Sequence, residues 1–331
     1  MKKREFRVLL ILLITALALS VWSWAAMPEE LVPVGSAVGI RLETDGLVVV
    51  GFDADGVSAA KDAGMKKGDV IKRVNGVEVN GCDSFQTLVS GAGGEALEVL
   101  VDRSGEPVTL KILPQKDAAC YRLGIYVRDS MAGIGTVTFY DPAQNVYGAL
   151  GHGVNDSESL VLMPLESGEI MPASVIEIKR GTSGAPGVLK GAFETETTLG
   201  TVEYNTEHGI FGKGAAGLSS HAAMPVAKQS QIHTGKATIL ANIDQKTVQE
   251  YEVEITKMFP LEQESGRNML LTITDPRLLK STGGIVQGMS GSPILQDGRL
   301  IGAVTHVLVN NPTCGYGIFI ENMLKNCEIY Q

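Results

Sequence analysis

Gly288-Met289-Ser290-Gly291-Ser292-Pro293 opens the stretch that decides how this 331-residue chain is read. An apolar strand follows it, then Asp297-Gly298 as a hairpin signal, then a second apolar strand, Leu300-Ile301-Gly302-Ala303-Val304-Thr305-His306. Glycines at 288 and 291 permit backbone conformations that expose a serine hydroxyl and aim successive N–H groups at one point. A serine hydroxyl is a weak nucleophile and needs a base within hydrogen-bond reach, most often histidine. His152, between Gly151 and Gly153 at the end of an apolar run, supplies the candidate base.

Histidine before serine is the chain order of chymotrypsin-like proteases. Gly181-Thr182-Ser183-Gly184-Ala185-Pro186 fits the same six-residue pattern, but no pair of apolar strands joined by a hairpin follows it, so Ser290 outranks Ser183. His306 lies one hairpin beyond Ser290 and reads as a pocket wall, on a strand (Thr305 to Val307) suited to pairing with a substrate backbone. His208, His221 and His233 have no partner motif and read as surface or structural histidines.

Composition agrees with a strand-rich protein. Glycine makes up 39 of the 331 residues, about 12% against a usual ~7%, and aromatics only 5%. Short strands and tight turns follow from that balance. With 28 Lys+Arg against 37 Asp+Glu, the chain is acidic, and a nucleic-acid partner is not expected. Cys82, Cys120, Cys314 and Cys327 form no CxxC or Cys/His cluster, so no metal or other cofactor is expected. Pairing of Cys314 with Cys327 is left open.

At the N-terminus, Lys2, Lys3, Arg4 and Arg7 precede an uncharged run from Val8 to Ala26. Residues 1–26 therefore read as a signal peptide or, from their length, an uncleaved signal-anchor helix, with the rest of the chain exported. Ser23-Trp24-Ala25 is an acceptable cleavage site, so the fate of the segment is open.

Between residues 36 and 113 come an alternating strand at Ala37-Val38-Gly39-Ile40, a second strand at Leu47–Val50 and a short helix ending at Gly64. An Asn75-Gly76 turn, a helix near Asp83–Ser90, and strands at Leu97–Val101 and Val108–Leu113 complete the segment. The run AGMKKGDVIKRVNGVEV resembles the signature of bacterial PDZ domains. The resemblance implies that an extended peptide or C-terminal tail, the chain's own or a partner's, adds to a strand edge. Backbone N–H groups of Val38, Gly39 and Ile40 would hold its carboxylate.

GHGV, YNTEHGIFG, GMSGSPI, GRLIGAVTHV and GYGIFIENML together resemble the SpoIVB peptidases of endospore-forming bacteria. The resemblance implies a mainly β chain: N-terminal helix, PDZ domain at 36–113, and a chymotrypsin/trypsin-like double β-barrel serine peptidase at 118–331. It implies Ser290 as nucleophile, His152 as general base and Asp275, in Thr274-Asp275-Pro276, as the orienting acid. Asp244 and Asp156 are the fallback acids. The oxyanion hole would be the N–H groups of Gly288 and Ser290. Glu321–Cys327 is expected as a short terminal helix on the second barrel. The implied role is a membrane-anchored endopeptidase between mother cell and forespore, cleaving the ectodomain of a regulatory membrane protein and so activating a late sigma factor. Two alternatives stand beside it: an inactive PDZ scaffold, and an HtrA-like quality-control protease, although there the protease precedes the PDZ domain.

Overall fold

The computed structural model describes residues 27–331 apart from 54–57, 118–119, 219–220, 244–246, 262–265, 328, 330 and 331. The expected N-terminal helix and Asp244 both lie outside the described residues. Among the described residues, no helix is long and apolar enough to cross a membrane. None of the four cysteines is in a disulfide.

Two barrels carry the fold. The second is a closed ring in the order Gly235–Ala241, Gln249–Met258, Met269–Ile273, Cys314–Phe319, Arg299–Val307 and Pro293–Gln296. Its patterning is plain in Gln249–Met258, where Tyr251, Val253 and Ile255 are buried and Glu250, Glu252 and Glu254 alternate outward. Each such apolar side chain contributes about 1.5–3 kcal/mol on leaving water. The first barrel joins Ala37–Phe52, Ile125–Asp141, Val146–Ala149, Gly209–Gly214, Gly200–Thr206 and Ser167–Lys179. Pairing of Ser167–Lys179 back onto Ala37–Phe52, from Ser167↔Glu43 to Pro172↔Val38, closes it.

This placement corrects two expectations. Val38, Gly39 and Ile40 are not an open carboxylate-binding loop. Val38 pairs with Gly135 on one side and Pro172 on the other, and Ile40 with Gly133 and Ile170, so both edges are occupied. Residues 37–43 are also a barrel strand, so the barrel begins well before residue 118 and the first module is an excursion from it.

That module holds Leu47–Phe52, strands Val70–Val74, Leu97–Arg103 and Glu106–Ile112, and the helix Cys82–Gly91, around Leu47, Val49, Ile71, Phe85, Leu97 and Val99. Asn75 (φ 51°) and Gly76 (φ 79°) make the expected tight turn between Val70–Val74 and Val77–Glu78. The chain returns along Ile125–Asp141, whose residues 125–128 pair with 48–52 and whose later residues line the barrel. Strands Ala37–Phe52 and Ile125–Asp141 thus form one continuous ribbon from module to barrel. The terminal helix is Ile320–Lys325; its Met323 and Leu324 pack with Phe139 and Phe211 of the first barrel and Ala303 and Ile318 of the second.

Candidate active site

Ser290 sits in a turn between Val286–Gln287 and Pro293–Gln296 that local hydrogen bonds fix. Met289 N–H donates to the Val286 carbonyl at 3.1 Å, Ser292 N–H to that of Met289 at 3.0 Å, and Gly291 N–H to that of Val304 at 2.7 Å. Gly288 and Gly291 have φ of 100° and 96°, which an L side chain rarely adopts.

The first barrel grips this turn through Thr136 and Thr138. Thr136 donates its N–H to the Ser290 carbonyl (3.0 Å) and its hydroxyl to the Gly288 carbonyl (2.8 Å), while the Thr138 hydroxyl donates to the Gly291 carbonyl (2.8 Å). Both threonine side chains are buried. The Thr136 carbonyl in turn accepts from Leu150 N–H at 3.1 Å, two residues before His152. One residue therefore holds both the serine turn and the approach to the histidine. Thr136→Val removes the hydroxyl bond and keeps the shape; kcat is expected to fall about tenfold, the value of one buried hydrogen bond, with KM nearly unchanged. Thr136→Ser is expected to restore it, and equal rates in both variants would rule out a positioning role.

His152 follows Leu150 (φ 68°) and Gly151 (φ 69°), a left-handed pair that turns the chain sharply off Val146–Ala149. Its Nδ1 lies 2.7 Å from the Gly153 carbonyl. A carbonyl only accepts, so Nδ1 carries the proton and Nε2 keeps its lone pair. Burial pushes the imidazole below its ordinary value of 6.5, partly offset by the Gly153 bond. Asn205 braces this loop: its side-chain oxygen accepts from Val154 N–H (2.8 Å), and its amide donates to the Val154 (3.1 Å) and Met163 (2.8 Å) carbonyls.

His152 and Ser290 line one cleft of about 380 Å³, with Thr305 and His306. Ser290 Oγ donates to the Thr305 carbonyl at 2.7 Å. The His306 ring centroid is 5.0 Å from that of His152, and its buried Nδ1 has no hydrogen-bond partner among the described residues. Burial first, then His152 and Arg267, push His306 down to about 4.

Asp275 is elsewhere. It is the N-cap of helix Pro276–Thr282, accepting from Arg277 N–H at 2.8 Å and, through the other oxygen, from Arg277 Nη2 at 2.7 Å and Glu252 N–H at 3.3 Å. It does not line the cleft, and the Gly153 carbonyl rather than a carboxylate holds Nδ1 of His152. The expected orienting role is therefore corrected to a capping one. The fallback Asp156 is also engaged, accepting from Ser159 N–H (2.8 Å), Ser159 Oγ (2.9 Å) and Glu158 N–H (3.2 Å). Ser183 bonds the Asn310 carbonyl at 2.9 Å and is exposed, outside the cleft.

Bonds from Arg277 hold Asp275 down to about 2, against an ordinary 3.8. A depressed carboxylate contributes stability above its unfolded value, lost as pH falls through the folded one, so this contribution fades from pH 3.8 towards 2. Asp275→Asn keeps a capping side chain but loses the ion pair. It is expected to cost about 2 kcal/mol of stability while kcat of the folded protein stays within about threefold. A loss of about a thousandfold in kcat at unchanged thermal stability would return Asp275 to the catalytic group.

A serine turn and a tautomer-fixed histidine facing one cleft, carried by two six-stranded barrels, define a serine peptidase. The profile of the SpoIVB peptidase S55 family matches residues 119–324, and the chain belongs to that family. Shorter similarities reach other proteins. The Regulator of sigma-E protease RseP of Escherichia coli K12 is 33% identical over 92 residues, 28% of this chain and 20% of that protein. A Lactococcus lactis protein described by its name as a zinc metalloprotease, LL2128, is 41% identical over 66 residues, 20% of this chain. The chain spans only 15% and 20% of the length of these two curated relatives. Among solved structures, the inactive form of the Rv3671c protease aligns over 59% of this chain and 82% of its own, at 11% identity and a TM-score of 0.32.

Proposed function

We propose that this chain is a membrane-anchored signalling endopeptidase in which Ser290 is the nucleophile and His152 the general base. The observation that carries the reading is the shared cleft, with Nδ1 of His152 tied to the Gly153 carbonyl so that Nε2 is the basic atom. In the structure the Ser290 hydroxyl donates to the Thr305 carbonyl, and the reaction requires it to leave that bond for Nε2 of His152. Ser290 Oγ then attacks the scissile carbonyl carbon as its proton passes to His152. The N–H groups of Gly288 and Ser290 receive the oxyanion. The intermediate collapses with the C–N bond broken and the proton delivered to the departing amine. Water repeats the sequence on the acyl-serine and releases the new carboxylate.

Neutral His152 is the working form, and its titration lies below 6.5. The acid limb of kcat/KM is therefore expected to have its midpoint below pH 6.5, which a rate profile between pH 4 and 9 would measure.

The basic residues before an uncharged run at 8–26 support an exported, anchored protein. In this reading it faces the space between mother cell and forespore and takes the ectodomain of a regulatory membrane protein as substrate. Sigma-factor activation would follow from that cleavage. The first module supplies PDZ-type peptide capture in this reading. Incubation of the full chain with casein and with ectodomains of sporulation membrane proteins tests the role. Cleavage of one ectodomain at a single bond is expected, and general degradation of casein favours quality control instead.

A further inference from the structure

The cleft that holds Ser290 has a second property, independent of its catalytic pair. Among the described residues, none that lines it is Asp, Glu, Lys or Arg. Ile285 and Val286 form the wall that leads into the serine turn, and Val307 lines the cleft from the strand whose Thr305 carbonyl already meets Ser290 Oγ. Ile285 is held in place by inward packing: its Cδ1 lies only 2.4 Å from where a Cβ on Gly315 would stand. Ile285 and Val286 are themselves buried core residues, so this wall cannot swing out to water at low cost.

A substrate strand lying along Thr305–Val307 puts the residue that donates the scissile carbonyl against these side chains. We infer that this protease cleaves after small or medium uncharged aliphatic residues, with Ile285, Val286 and Val307 as the determinants. The inference rests on Ser290 as the nucleophile. A lysine or glutamate side chain placed there would lose water and find no opposite charge among the described lining residues, which is costly, whereas an alanine, valine or leucine side chain gains by burial. The two imidazoles of the cleft do not change this. Burial holds both below their ordinary value, and Arg267, the other charged group that acts on His306, does not line the cleft.

The test uses the full chain and a series of peptidyl diphenyl phosphonates that differ only in the side chain next to phosphorus: Ala, Val, Leu, Phe, Lys or Glu. An alkyl fluorophosphonate without a side chain reports Ser290 reactivity alone. Labelling rates for Ala, Val and Leu are expected to exceed those for Lys and Glu by at least about 30-fold, the scale on which pockets separate mismatched side chains. In Val307→Asp the Lys-to-Leu ratio is expected to rise about tenfold, and in Val307→Gly the Phe-to-Val ratio to rise similarly. Fluorophosphonate labelling at Ser290 together with equal or faster reaction of the Lys or Glu compound overturns the specificity and leaves the nucleophile standing. Labelling that persists in Ser290→Ala overturns the nucleophile, and this inference with it.

Discussion

Ser290→Ala and His152→Ala are each expected to lower kcat by about five orders of magnitude or more, and the double variant by no more than either alone. In the proposed mechanism the two groups act as a unit: without Nε2 the hydroxyl keeps its proton, and without the hydroxyl the base has nothing to activate. Ser183→Ala is expected to keep wild-type turnover, because its hydroxyl bonds the Asn310 carbonyl on an exposed turn. Both substitutions are expected to leave thermal stability within about 1 kcal/mol, since each shortens a side chain that lines the cleft and belongs to none of the hydrophobic core clusters. Progress curves on a peptide cleaved by the wild type, with melting curves on the same preparations, check both halves. Additive losses in the double variant would show that the two residues work in separate steps.

Gly291→Ala is expected to be nearly as damaging for a different reason. A Cβ there would stand 2.0 Å from the Thr136 carbonyl oxygen and 2.6 Å from Leu150 N, and the residue has φ of 96°. Both clashes are with backbone, so no rotamer change relieves them. The turn must pull away from the first barrel, breaking the bonds from Thr136 and Thr138 that set the serine. Loss of about 3 kcal/mol or more of stability is expected, with activity lost in whatever folds. Chemical denaturation of the variant measures the first, and fluorophosphonate labelling of the folded fraction the second. Gly298→Ala is the control: a Cβ there meets nothing within 4 Å, so only its φ of 71° counts against it.

What the sequence disclosed, and what it hid, follows the distance over which each signal acts. Ser290 and His152 stood out in the sequence because their glycines are adjacent and the backbone demand that those glycines satisfy is local, and the structure brings both to one cleft. The Asn75-Gly76 turn was legible for the same reason. Asp275 misled because Asp-Pro before Arg-Leu-Leu is also the signature of a helix N-cap with proline at the first helical position, and the structure uses it as that. Val38–Ile40 misled because an alternating strand does not declare its partners. Its neighbours, residues 133–135 and 170–172, are far along the chain and occupy both edges. No role was assigned to Thr136 or Asn205 from the sequence. Their bonds span 152 and 51 residues, and only the Tyr204-Asn205-Thr206 run hinted at the second.

The proposed activity depends on one serine activated by one histidine. Labelling of the full chain with a fluorophosphonate, followed by mass mapping of the modified peptide, tests that directly. The predicted result is a single adduct on Ser290 that is lost in Ser290→Ala and in His152→Ala and kept in Ser183→Ala and Asp275→Asn. An adduct on another serine, or labelling of Ser290 undiminished in His152→Ala, would contradict it.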